Sequence, residues 1–72
     1  MTTQEFNEIL DFAVAREREA VQFYRDLQQE AKFQDQREML KELEAMEMGH
    51  IEVIENIRRR GVSADEIPRV QN

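Results

Sequence analysis

Glu47-x-x-His50 puts a carboxylate and an imidazole three residues apart. On a helix, residues i and i+3 share a face. On a wheel of about 100° per residue, Leu40, Leu43, His50, Ile51 and Ile54 fall within roughly 60° of Glu47. Met39, Met46 and Ile57 extend this apolar stripe on the His50 side. An ionisable pair therefore stands in a packing stripe, where an unpartnered carboxylate is costly. A second acid of the same kind occurs upstream. Glu17 lies near the middle of the stripe Phe6, Ile9, Leu10, Ala13, Val14, Ala20, Val21, Tyr24, Leu27 and Ala31. Glu19 points about 200° away from Glu17, toward solvent. Two carboxylates and an imidazole make an oxygen and nitrogen donor set, which suits iron or manganese better than soft-metal sites do.

The totals narrow what can compensate those charges. A chain of 72 residues allows one small domain. Folds of this size usually need a staple: disulfides, a metal or oligomerisation. There are no cysteines, which excludes disulfides, thiolate zinc sites, iron–sulfur clusters and a thiol nucleophile. Metal and oligomerisation remain. The net charge of −6 argues against a nucleic-acid or anionic-membrane surface and is compatible with attracting cations. No apolar run approaches the length of a membrane span. The N-terminus lacks the basic and apolar regions of a signal peptide, so a cytoplasmic location is expected.

With 36% charged residues, two glycines and one proline, the composition is that of a long-helix protein. Thr2-x-x-Glu5 predicts a capping box opening a first helix from about residue 4 to about 31. Asp35-x-x-Glu38 predicts a second start with Asp35 as the cap, and a helix from about 36 to 60. Arg58, Arg59 and Arg60 suit the C-terminal dipole, and Gly61 is a natural terminator. The short connection Lys32-Phe33-Gln34 implies an antiparallel hairpin over residues 1–61. Residues 62–72 read as a polar tail or linker in which Ser63-x-x-Glu66 could start one more helical turn.

A hairpin brings Glu17 opposite Glu47 and His50 but has no third helix to cover them. Dimerisation into a four-helix bundle would do so, and would gather four Glu and two His. Four carboxylates balance two divalent ions, whereas neither stripe offers a Lys or an interior Arg. Phe12 and Phe23 lie off the main stripe and suggest a second packing surface, an oligomer contact. Glu44, about 60° from Glu47, reads as a solvated flank. Met39, Met46 and Met48 read as packing residues. Gly49 costs its helix about 1 kcal/mol against Ala and reads as relief of crowding beside the ligands.

Residues 17–24, Glu-Arg-Glu-Ala-Val-Gln-Phe-Tyr, resemble the first-helix motif of rubrerythrin-type ferritin-like proteins, where a ligand Glu precedes a Tyr by seven. Residues 43–50, Leu-Glu-Ala-Met-Glu-Met-Gly-His, resemble their second-helix motif. The spacing between the motifs also resembles that of encapsulated ferritins, which work as helical-hairpin dimers. The resemblance covers roughly residues 5 to 60, against a usual family pattern of two hairpins in one chain. It implies an all-α hairpin that dimerises into a ferritin-like bundle, with a di-iron centre shared between two chains. It makes Glu17, Glu47 and His50 the iron ligands and catalytic residues, and Tyr24 a phenol just outside them. The implied activity is oxidation of Fe(II) by oxygen or peroxide. No rubredoxin-like Cys-x-x-Cys module is present, so electrons for peroxide reduction would need a donor protein. Iron storage would need a higher ring or a host shell, because a lone dimer encloses no cavity. Two other readings stand beside this one. One is a manganese or mixed-metal oxidase. The other is a non-enzymatic dimerisation module whose polar seam fixes register.

Overall fold

The computed structural model describes residues 1–61; the expected tail, 62–72, lies outside the described residues. Two helices account for almost all of the described chain: α1, Thr3–Glu30, and α2, Gln34–Arg60. They pack against each other as a hairpin. At about 1.5 Å per residue each is roughly 40 Å long. Among the described residues, no helix is long and apolar enough to cross a membrane.

The start of α1 follows from its side chains. The Glu5 N–H donates to Thr2 Oγ1 (3.1 Å), and the Thr2 N–H donates to Glu5 Oε1 (3.2 Å), a reciprocal capping box. The helix ends where Ala31 turns extended. The Ala31 N–H still donates to the Leu27 carbonyl (2.9 Å). Arg37, from α2, donates to the Ala31 carbonyl (2.7 Å), so a side chain satisfies an acceptor at the connection.

The start of α2 differs from the expected one. Phe33 is the capping residue, with no side-chain cap, and α2 begins at Gln34 rather than after Asp35. The extended Phe33 offers its carbonyl to the Arg37 N–H (3.2 Å), which closes the first turn two residues early. Asp35 therefore sits inside that turn, where its carboxylate accepts from the Gln36 N–H (2.9 Å) and favours the helix dipole. At the other end, Gly61 adopts φ 66°, a left-handed conformation that glycine reaches without strain. Arg58, Arg59 and Arg60 occupy the last turn.

The two flanks of the hairpin are unlike. On one, Arg18 pairs with Glu55 (2.9 Å), Arg25 with Glu44 (2.8 Å), and Arg58 with Asp11. The opposite flank is apolar and open. Ile9, Phe12 and Phe23 of α1 and Met39, Met46 and Val53 of α2 are all exposed there. Met39, Met46 and Val53 recur every seven residues, the spacing of a coiled-coil seam. Only Phe6, Leu10 and Val21 are buried among the described residues, and none of them is on α2. The apolar stripes are thus half used within one chain.

Gly49 does not relieve crowding. A Cβ built there would meet no heavy atom within 4 Å. On the helical wheel it lies about 200° from Glu47, on the back of α2. Gly49→Ala should therefore stabilise the protein by about 1 kcal/mol. In a domain this small that raises the melting temperature by roughly 4–8 °C in a circular dichroism melt. An unchanged or lower melting temperature would show that the back of α2 has a neighbour that the hairpin lacks.

Candidate metal centre

Glu17 lies 14 residues after Thr3 and 13 before Glu30, and Glu47 lies 13 from either end of α2. The antiparallel packing of two helices of nearly equal length brings these midpoints together. Glu17, Glu47 and His50 each offer one ligand atom, and the three atoms lie within 4.8 Å of one another. His50 Nδ1 sits 3.2 Å from Glu17 Oε2, which is hydrogen-bond range when Nδ1 holds the proton, and 3.6 Å from Glu47 Oε2.

The three side chains are unequally covered. Glu47 is 14% exposed, Glu17 26% and His50 54%. His50 is the most open because the wheel turns it toward the apolar flank. The separation of Glu17 from Glu19 holds as well: Glu19 is exposed and pairs with Arg16 (3.3 Å).

Proximity splits the acidity of the two carboxyls. The hydrogen bond with Glu47 holds Glu17 below the ordinary carboxylate value; burial opposes it, and the hydrogen bond and charge of His50 add to the lowering. That same bond raises Glu47, helped by burial and by the charge of Glu17, with His50 opposing. Like charges this close disfavour double ionisation, and the pair titrates as a unit.

Tyr24, seven residues after Glu17, shares its face of α1. It is half-buried two turns along α1, and its ring tilts against Phe23 with centroids 5.6 Å apart. Among the described residues, no hydrogen bond joins its hydroxyl to Glu17, Glu47 or His50.

Glu44 is not a solvated flank. It is 17% exposed, and each of its oxygens has its own donor on α1. Arg25 Nε donates to Oε2 (2.8 Å) and Gln28 Nε2 to Oε1 (2.7 Å). These bonds, Arg25's first, hold its carboxyl below the ordinary value. The sequence signal was a matter of register. An antiparallel hairpin sets Arg25 opposite Glu44 just as it sets Asp11 opposite Arg58.

The donor set fits a divalent cation. Two carboxylate oxygens and one imidazole nitrogen suit iron or manganese, and two negative charges per chain balance one such ion. Three donors from one chain leave coordination positions for donors from elsewhere.

In comparison with known proteins, no family model matches the chain, no curated protein matches it, and no solved structure matches the hairpin. The hairpin is compatible with half of a ferritin-like bundle, and the resemblance rests on the motif residues and on this geometry.

The split acidity has a consequence for metal-free protein. Because the folded value of Glu47 is raised, its contribution to stability is full at low pH and is lost as pH rises through that value. Glu17, whose value is lowered, contributes stability that is lost only as pH falls below the ordinary value of 4.5. Glu47→Gln keeps the shape and removes the charge. Its melting temperature relative to the parent protein should therefore rise as pH increases above the ordinary carboxylate value of 4.5, with chelator present. A difference that is flat or falls as pH rises would contradict the coupling of the two carboxyls.

Proposed function

We propose that this chain is a di-iron carboxylate protein that oxidises Fe(II) with oxygen or peroxide, its metal centre completed by a second copy of the chain. The single observation that supports this most is the convergence of Glu17, Glu47 and His50 within 4.8 Å at the midpoints of both helices. When bound, a pair of irons supplies the one-electron redox chemistry that these side chains lack.

The side chains do the rest. Glu17 and Glu47 provide anionic oxygen donors, and His50 a neutral nitrogen once it is deprotonated. Binding a cation requires Glu47 ionised, so affinity rises with pH through its raised value. Partial burial at 14% and 26% exposure strengthens the attraction of both carboxylates for a cation by limiting its screening.

The second copy sits on the open apolar flank. His50 faces that side, and Met39, Met46, Val53, Ile9 and Phe23 would find a cover there. A two-fold axis through the central site superposes the midpoints of the helices, so the apolar flanks overlap along nearly their full length. Two copies supply four Glu and two His around two divalent ions, which leaves the ligand charge balanced. The dimer would work in the cytoplasm, either free or inside a host shell, and reduction of peroxide would draw on an electron-donor protein.

A second reading is favoured by one contact. The His50–Glu17 hydrogen bond satisfies both groups without a metal, as in a dimerisation module with a polar seam. That module would melt at the same temperature with and without Fe(II) under anaerobic conditions, whereas the di-iron protein would melt higher with it.

Glu47→Ala removes one of two anionic donors per chain. Its Fe(II) oxidation, followed by ferric absorbance, should fall to the rate of buffer alone, while circular dichroism and solution mass still report a helical dimer. Turnover at the parent rate would remove Glu47 from the site.

A further inference from the structure

Glu44 lies one turn before Glu47 on α2, and side chains three apart on a helix are about 5–6 Å apart at Cβ. It is 17% exposed, nearly as covered as Glu47 at 14%. By type, burial and position it qualifies as a fourth ligand. Yet the group of ligand atoms that converge, among the described residues, is Glu17, Glu47 and His50. The reason lies on α1. Arg25 Nε and Gln28 Nε2 occupy one Glu44 oxygen each, at 2.8 and 2.7 Å. Arg25 is itself braced, its Nη2 lying 3.9 Å from Met48 Sδ.

We propose that Arg25 and Gln28 are positioning residues that hold Glu44 out of the metal site and so fix its ligand set at two carboxylates and one imidazole per chain. This inference rests on the metal-binding reading above. The clamp has an electrostatic effect and a geometric one. Two carboxylates per chain balance one divalent ion; a third would leave each chain one negative charge in excess. A third carboxylate also adds hard oxygen donors, which moves a site toward higher coordination numbers. Arg25 neutralises Glu44 in place, and Arg25 and Gln28 together direct both Glu44 oxygens toward α1.

Co(II) titration of the full chain tests this, because the visible absorption of Co(II) weakens as its coordination number rises. In Arg25→Met, the absorption per cobalt should fall and the dissociation constant for Co(II) should drop, by about tenfold if the gain from a freed ligand matches the low end of the loss that follows removal of an outer-shell partner. Adding Glu44→Gln to Arg25→Met should restore the parent spectrum, and Glu44→Gln alone should match the parent. Should Arg25→Met fail to fold, Gln28→Leu frees one Glu44 oxygen and should give a smaller change in the same direction. A folded Arg25→Met with the parent spectrum overturns the clamp. So does a double variant that keeps the altered spectrum, since Glu44 would then not be the incoming ligand. If the parent protein binds no Co(II) at all, the metal reading itself fails, an outcome distinct from either of these.

Discussion

The structure turns on two carboxylates placed a few ångströms apart at the middle of a helical hairpin. Glu17 and Glu47 repel when both are ionised, and each is partly withdrawn from water. In the metal-free chain His50, beside both carboxylates, relieves part of that repulsion. The relief is incomplete, because the pairing raises the Glu47 carboxyl above its ordinary value. A cation between the carboxylates removes the repulsion, which is why a site of this kind couples metal binding to stability.

The same constraint organises the rest of the hairpin. A chain with three buried apolar residues among those described has little core of its own. One flank is laced by ion pairs between the helices, of which the exposed ones, Arg18–Glu55 and Arg58–Asp11, add little stability each. They do fix register, since a slide of one helical turn would break the Arg25–Glu44 and Arg58–Asp11 pairs together. Fixed register is what sets Glu17 against Glu47 rather than against a neighbouring residue. The open flank keeps its apolar side chains for another surface.

Much of this is legible in the sequence through helical geometry. Glu17 separates from Glu19, and Glu47 and His50 fall on the stripe, because the wheel depends only on residues per turn. The Thr2–Glu5 capping box is a local pattern and forms as written. Asp35 failed as a cap for a reason invisible at that range: the backbone of Phe33 turned extended and began α2 earlier. Glu44 was misplaced because its partners lie 16 and 19 residues upstream, on the other helix. A wheel reports the angle of a side chain but not what stands opposite. Met39 and Met46 fit the stripe by period and are exposed all the same, since one hairpin has only one neighbour for each helix.

We propose that the charge of this seam serves a metal shared between copies. Elemental analysis of tag-free protein purified without chelator, together with its mass in solution, addresses that claim most directly. About one iron per chain, in a dimer or a multiple of dimers, is the result expected from two carboxylates and one imidazole per chain. A metal-free dimer that also takes up no added Fe(II) would contradict it and leave Glu17, Glu47 and His50 as a polar seam that sets register.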